Sequence, residues 1–168
     1  MAITGTGEIK RESFMLFVNV GTTASPEWEL IGEKVEDLGL ELNPNVEKVH
    51  DVTGKTSVTI DKYEVQTSVS PMRAKKESKM FAFLYGVVKD EKTLSDLEKE
   101  FLCVNVFDVT GEGASATYAA WKQKGVVAVN SYGGGTQGLD IPYDIHYFGD
   151  KIHGDFAPAT KAFTPAAA

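Results

Sequence analysis

The residues best suited to chemistry in this chain are few and lie far apart. The histidines are His50, His146 and His153, and only the last two share a stretch with several aspartates, at 144–155. Imidazole and carboxylate groups can bind a metal ion, but polar turn-rich segments often contain such groups, so we interpret these residues as solvated loop positions. Cys103 is the only cysteine and lies in the apolar run 101–104, which predicts a core residue and excludes an internal disulfide or a cysteine metal cluster.

The glycine-rich segments and the carboxylate pairs do not match catalytic motifs. The run 133–135 has no following lysine and serine or threonine, as a phosphate-binding loop requires, and 111–115 lacks the spacing of a nucleophile elbow. Glu36 and Asp37 are adjacent in a predicted strand, so their side chains point to opposite faces and cannot share a proton-transfer site. The sequence therefore predicts a protein that is not an enzyme and uses no cofactor.

Length and charge limit the remaining classes. The chain has 168 residues, 42% of them hydrophobic and 24% charged, which fits one globular domain with its own core. No apolar run is long enough for a membrane span, and the N-terminus lacks the pattern of a signal peptide, so we expect a soluble protein made in a cytoplasm. The net charge is −7, and residues 1–54 carry ten acidic and four basic side chains, which argues against nucleic-acid binding.

The first half of the chain predicts strands and an arm. A strand is expected at 14–20, and a second at 35–42, where Leu38, Leu40 and Leu42 share the buried face. Residues 43–57 are polar with isolated valines, which predicts a long hairpin arm with little core of its own. A change of parity at Asp61-Lys62 predicts a bulge or turn.

The second half contains the clearest helical signal. Apolar residues recur at helical spacing over 78–90 after a cap at Ser78, and Thr93 could begin a second short helix. A strand that is apolar on both faces is expected at 101–109, and a strand pair with a turn near 123–125 at 116–132.

Apolar and polar residues alternate strictly at 139–147, which predicts a strand, whereas the sequence at 149–164 predicts a loose segment. The expected fold is mainly β, an antiparallel β-sandwich with one flanking amphipathic α-helix. Its domain covers 13–164, with an N-terminal arm at 1–12 and a disordered tail at 165–168.

In its order of segments the chain resembles the major tail tube proteins of long-tailed, non-contractile bacteriophages and prophages. The matching segments are FMLFVNVG at 14–21, WELIG at 28–32, LNPNVE at 42–47, YDIHYFGD at 143–150 and GDFAPATK at 154–161. They span most of the chain, and their order and spacing are more specific than any one of them.

This resemblance implies a structural subunit that self-assembles into stacked hexameric rings, forming a virion tail tube that delivers DNA. Its partners would be copies of itself, the tape-measure protein and tail-terminating proteins. DNA would pass through the lumen without specific binding, and no membrane contact is expected. Glu36, Asp37 and Glu41 are candidates for an acidic lumen, with Asp37 and Glu41 on one strand face. The hairpin arm would contact the next ring through Asn43, Pro44, Asn45, Glu47, His50 and Asp51.

A basic cluster at the start of the predicted helix opposes the helix dipole, which suggests an acidic partner. In a ring of identical subunits that partner could lie on the neighbouring copy, where Glu29 and Glu33 are candidates, or the cluster could be a solvated surface. The cluster consists of Arg73, Lys75, Lys76 and Lys79.

Two alternatives remain open. One is a monomeric β-sandwich module that binds a carbohydrate or peptide on an aromatic platform, although strand aromatics more often lie in a core or interface. The candidate aromatics are Trp28, Trp121, Tyr118, Tyr132, Tyr143 and Tyr147. The other is a tube component of a contractile tail or injection machine.

Overall fold

The structure, a computed structural model, describes residues 6–33, 35 and 37–167. The strands are β1 (Phe14–Asn19), β2 (Trp28–Ile31), β3 (Pro44–His50), β4 (Thr56–Tyr63), β5 (Gln66–Val69), β6 (Glu98–Thr110), β7 (Thr117–Val129), β8 (Tyr143–Ala157) and β9 (Ala162–Pro165). One α-helix, α1 (Lys79–Asp90), is accompanied by short 3-10 turns at Arg11–Ser13, Leu94–Leu97 and Gly113–Ser115.

Seven strands form one curled antiparallel sheet in the order β2-β1-β6-β7-β8-β5, with β9 paired to the later part of β8. The strands β3 and β4 form a separate two-stranded hairpin. The predicted mainly-β, antiparallel fold with one helix is confirmed. All nine strands of the described residues belong either to the seven-stranded sheet or to the β3–β4 hairpin.

The sheet is apolar on both faces because successive side chains of a strand point to opposite sides. On one face Leu16, Phe101 and Cys103 belong to the main core, which α1 covers with Met80 and Leu84. On the other face a second cluster consists of Phe17, Trp28, Leu102, Val104, Ala120 and Phe156. β6 supplies both clusters and pairs with β1 and β7, as expected of the central strand predicted at 101–109.

The helix prediction is confirmed. Ser78 has an extended backbone, and its hydroxyl accepts a hydrogen bond from the Phe81 N–H at 3.0 Å, as an N-cap residue does. Thr93 precedes only the 3-10 turn and makes no side-chain capping bond. Among the described residues no helix combines the length and the hydropathy that crossing a bilayer requires.

β7 corrects the prediction of a strand pair at 116–132. It runs unbroken past the expected turn, and the irregularity lies in its partner β8, between the pairs Lys122↔Ile152 and Lys124↔Phe148. A Cβ on Gly125 would lie 2.8 Å from Ile145 Cγ2 and 3.0 Å from the Phe101 ring. Gly125 is therefore required for close packing within a strand rather than for a turn.

Two further predictions are wrong. Residues 149–164 are not loose, because β8 continues to Ala157 and pairs with β9, so the predicted tail at 165–168 begins inside a strand. The described residues of the segment 35–42 do not form a regular strand. Their backbone pairs with the edge of the sheet at β5 as two isolated bridges, Asp37↔Ser70 and Glu41↔Gln66, while Leu38 is buried in the main core.

The predicted N-terminal arm at 1–12 is attached to the domain at Arg11. The Arg11 guanidinium donates to the carbonyl oxygens of Leu38 and Phe14 and lies 5.4 Å from the Phe14 ring centroid. Residues 1–5 of the predicted arm lie outside the described residues, as does Glu36.

Candidate assembly surfaces

The hairpin of β3 and β4 is the least packed element of the domain. Every residue of both strands is exposed, so the hairpin buries no side chain against its own subunit. The prediction at 43–57 located this arm, but the paired strands extend further, to Tyr63. An isolated two-stranded hairpin has little stability of its own in water.

One face of this hairpin carries most of its large apolar side chains. The pair Val46↔Ile60 is followed by Lys48↔Val58, and directly opposite residues in an antiparallel pair share a face. The pair Pro44↔Tyr63 follows a register shift in which Asp61 and Lys62 oppose Asn45 alone, so the predicted bulge is confirmed. We call Val46, Val58, Ile60 and Tyr63, which are 46–56% exposed, the hairpin's apolar face.

The opposite face of the hairpin is polar. The pairs Glu47↔Thr59 and Val49↔Ser57 occupy it, and Val49 is its one exposed large aliphatic residue. The hairpin is thus amphipathic although neither face is covered within the subunit. An uncovered apolar stripe on a projecting element is typical of a surface that contacts another molecule.

The tip of the hairpin is held in one conformation by Asp51. Its Oδ1 accepts from the Thr53 N–H at 2.8 Å, the Thr53 hydroxyl at 2.6 Å and the Lys55 N–H at 3.0 Å. These bonds, with that of the Thr53 side chain foremost, lower the pKa of Asp51. Val52 is consequently presented fully exposed at the end of the arm.

The base of the hairpin is tied to the main sheet. Glu41 and Gln66 exchange both backbone hydrogen bonds, and the Gln66 amide donates to the Glu41 carboxylate at 2.7 Å. The Glu64 N–H donates to the Asn43 carbonyl at 3.2 Å. In return, the Asn43 side-chain amide donates to the Glu64 carbonyl at 3.2 Å. The arm therefore continues the edge of β5 and is not joined to it by an unpaired linker.

The residues predicted to contact the next ring all lie on this arm. Asn43 is at its base, Pro44, Asn45, Glu47 and His50 lie along β3, and Asp51 is at the tip. His50 Nδ1 lies 2.9 Å from the Thr56 hydroxyl across the hairpin. The sequence prediction missed the residues of the apolar face on β4, although their alternation was visible at Val58 and Ile60.

The basic cluster at the start of α1 meets acidic residues of its own subunit. The Glu29 carboxylate accepts from the Ser78 hydroxyl, from the Lys79 N–H at 3.0 Å and from the Met80 N–H at 3.3 Å. Lys79 pairs with Glu27 at 2.6 Å, and the Lys75 ammonium contacts the Glu33 carboxylate. We call these contacts the β2–α1 clamp.

The clamp changes the interpretation of the predicted inter-subunit pairing. Of the two carboxylates expected to attract a neighbouring copy, Glu29 binds the start of α1 and Glu33 contacts Lys75 within one chain. Arg73 donates to the Gln137 side chain at 3.2 Å, and Lys76 forms no ion pair within the described part of the chain. Of the cluster, these two cations remain for contacts between subunits.

The candidate lumen residues Asp37 and Glu41 are both exposed, on the segment that borders β5. We expected these two carboxylates to lie on one face of a strand. Both residues form bridges to the edge at β5 and are four residues apart, which is compatible with a common face. Leu38, between them, points into the core. The geometry thus leaves both carboxylates on the surface of the subunit.

The residues considered for chemistry lie elsewhere. Cys103 is buried in the main core, and burial raises the pKa of its thiol to about 12, which keeps the thiol protonated at neutral pH. Within 6–33, 35 and 37–167, no three histidine, cysteine or carboxylate side chains are placed to hold a metal ion.

The candidate platform aromatics are distributed through the domain. Trp28 and Tyr143 are buried, Trp121 and Tyr147 pack against the main core, and Tyr132 is exposed on a loop. A Lys151 amino group lies 5.1 Å from the Trp121 ring centroid. These side chains therefore contribute mainly to the core.

Comparison with known proteins adds no family assignment. No protein-family model matches the chain, and a search of curated proteins finds no significant relative.

Proposed function

We propose that this protein is a structural subunit that self-assembles into stacked hexameric rings, as the tail tube subunits of long-tailed bacteriophages do. The observation that carries the proposal is the amphipathic hairpin, whose apolar face is uncovered in the single subunit. Burying exposed apolar surface lowers the free energy by roughly 25 cal/mol per Å². This face therefore contributes such stabilisation only when another molecule covers it. A second copy of the chain is the partner that an assembling subunit always has.

The charge of the subunit supports the use of such a tube as a conduit for DNA. A net charge of −7 makes the wall of an assembly repel a passing polyanion. Asp37 and Glu41 are proposed as lumen residues on this basis. The tape-measure and tail-terminating proteins are proposed as further partners, and neither a membrane nor a cofactor has a part in this function.

The proposal is tested by electron microscopy of the concentrated protein, with two matched variants. Val46→Lys places a charge on the hairpin's apolar face, and Val49→Lys places the same charge on the opposite face of the same strand. The two valines are 46% and 50% exposed, so neither change should affect folding of the monomer. We expect rings or tubes from the wild type and from Val49→Lys, and monomers from Val46→Lys.

Other outcomes would overturn the proposal or part of it. A wild-type protein that stays an 18.3 kDa monomer at high concentration contradicts self-assembly, and saccharide or peptide binding by that monomer would favour a binding module. Normal tubes from Val46→Lys would show that the apolar face is not a contact. Loss of tubes from both variants would contradict the assignment to one face.

A further inference from the structure

A small cavity lies where the start of α1 meets the sheet. Its volume is about 60 Å³, and it is lined by residues of the β2–α1 clamp and by side chains of the main core. Its polar walls include Glu29, Ser78 and Tyr143. Three elements that are distant in sequence, β2, α1 and β8, thus meet at one cavity.

Tyr143 brings a buried hydroxyl group to this cavity. The side chain is 0% exposed, and its hydroxyl oxygen has no hydrogen-bond partner among the described residues. Burial, and then the negative charge of Glu29, raise the pKa of Tyr143, so the phenol keeps its proton. A buried O–H donor without an acceptor is unfavourable and rare in folded proteins.

Glu29 has acceptor capacity left to offer. Its Oε2 accepts from the N–H groups of Lys79 and Met80, whereas among the described residues its Oε1 accepts from the Ser78 hydroxyl alone. A carboxylate oxygen has two lone pairs, so Oε1 retains one for a further donor.

We infer that the cavity binds ordered water that links the Tyr143 hydroxyl to the Glu29 carboxylate. The water accepts the Tyr143 O–H and donates to Glu29, which satisfies the buried phenol. A single water needs only about 10–15 Å³ of such space and two to four polar partners, so the cavity has room for more than one molecule. The site extends the β2–α1 clamp to β8 and connects the helix start to the centre of the core.

Substitution of Tyr143 by phenylalanine distinguishes a cavity that holds bridging water from an empty one. If water bridges the two groups, Tyr143→Phe removes one hydrogen bond from the network, and we expect the midpoint of thermal unfolding to fall by about 2–4 °C. If the hydroxyl is an unsatisfied group, its removal leaves the midpoint unchanged or raises it, which would overturn the inference.

Tyr147→Phe provides the matched control. The Tyr147 hydroxyl donates to Thr67 Oγ1 at 3.2 Å, so its removal measures the loss of one direct protein hydrogen bond from a largely buried tyrosine. A high-resolution crystal structure of the wild type gives a readout that does not depend on stability. Ordered density within hydrogen-bond distance of Tyr143 Oη and Glu29 Oε1 is expected, and a cavity without density there would contradict the site.

Discussion

Glu29 and Ser78 lie 49 residues apart, and the Ser78 hydroxyl donates a hydrogen bond to the Glu29 carboxylate while its oxygen caps α1. The first turn of α1 has no acidic residue of its own, and Lys79 begins it. The positive end of the helix dipole therefore receives its negative charge from a strand of the sheet. This contact explains why a basic cluster is tolerated at the wrong end of a helix.

Removing this carboxylate should destabilise the subunit. We expect Glu29→Ala to lower the free energy of unfolding by about 1–2 kcal/mol, since it removes a charged cap that binds two backbone N–H groups and the Ser78 hydroxyl. The midpoint of thermal unfolding should fall by about 2–8 °C.

Glu27→Ala is the control for a general loss of charge from the same strand region. Its pair with Lys79 is more than half exposed on both sides, so it should cost less than about 1 kcal/mol. Equal losses from the two variants would show that Glu29 does not act as a cap.

The basic cluster should separate into cations used within the subunit and cations available between subunits. Lys75→Glu places two carboxylates together at Glu33 and should lower monomer stability by no more than about 1 kcal/mol, because the pair is partly exposed. The exchange Lys75→Glu with Glu33→Lys should restore it.

Lys76→Glu should leave the monomer unaffected, because Lys76 forms no ion pair within the described residues. Weaker assembly of this variant, measured by light scattering at low salt, would support the predicted pairing across subunits. Unchanged assembly would identify Lys76 as solvated surface.

Local patterns predicted the elements whose signal is contained in one segment. The helix at 78–90 has its cap and its apolar spacing in the same thirteen residues, and β6 has a continuous apolar run. The bulge at Asp61-Lys62 follows from a change of parity alone. In these places the local preference and the tertiary contacts agree.

The wrong predictions concern residues whose role depends on distant partners. Gly125 looks like a turn residue, but Phe101 and Ile145 leave it no space for a side chain. Residues 149–157 look loose because their partners, β7 and β9, lie elsewhere in the sequence. For the basic cluster, the structure adds that Glu29 and Glu33, proposed as partners between subunits, contact Lys79 and Lys75 within one chain, which composition does not reveal.

Gly125→Ala should be strongly destabilising, because Gly125 is buried in a strand inside the sheet. The added methyl group would lie within about 3 Å of two core side chains, and overpacking of this kind costs about 1–3 kcal/mol. Gly135→Ala is the control, because nothing lies within 4 Å of a Cβ at that position. Chemical denaturation of the two variants measures the difference, and equal midpoints would show that the sheet relaxes around the methyl group.

The hairpin tip should lose its order in acid. The pKa of Asp51 is below its ordinary value of 3.8 in the folded protein, chiefly because of the bond from the Thr53 side chain. A lowered folded pKa means that the stabilisation is complete above the ordinary value and is lost as the pH falls through the folded value.

Amide hydrogen exchange at Thr53 and Lys55 measures this transition directly. Asp51→Asn retains an oxygen acceptor without the titration, so its exchange protection should not change over the same pH range. The same acid dependence in Asp51→Asn would assign the effect to another group.

The hairpin as a whole should be dispensable for folding and required for assembly. Its strands bury no side chain, and Asn43 and Glu64 are already joined by hydrogen bonds at its base. Replacing residues 44–63 by the dipeptide Asn-Gly would close this base with a two-residue turn. We expect the thermal midpoint of the monomer to stay unchanged, because no core contact is removed, and electron microscopy to show no tubes at concentrations where the wild type forms them. Tubes of normal length from the shortened chain would show that the rings are held together by other surfaces, and a large fall in the midpoint would show that the arm contributes to the fold of its own subunit.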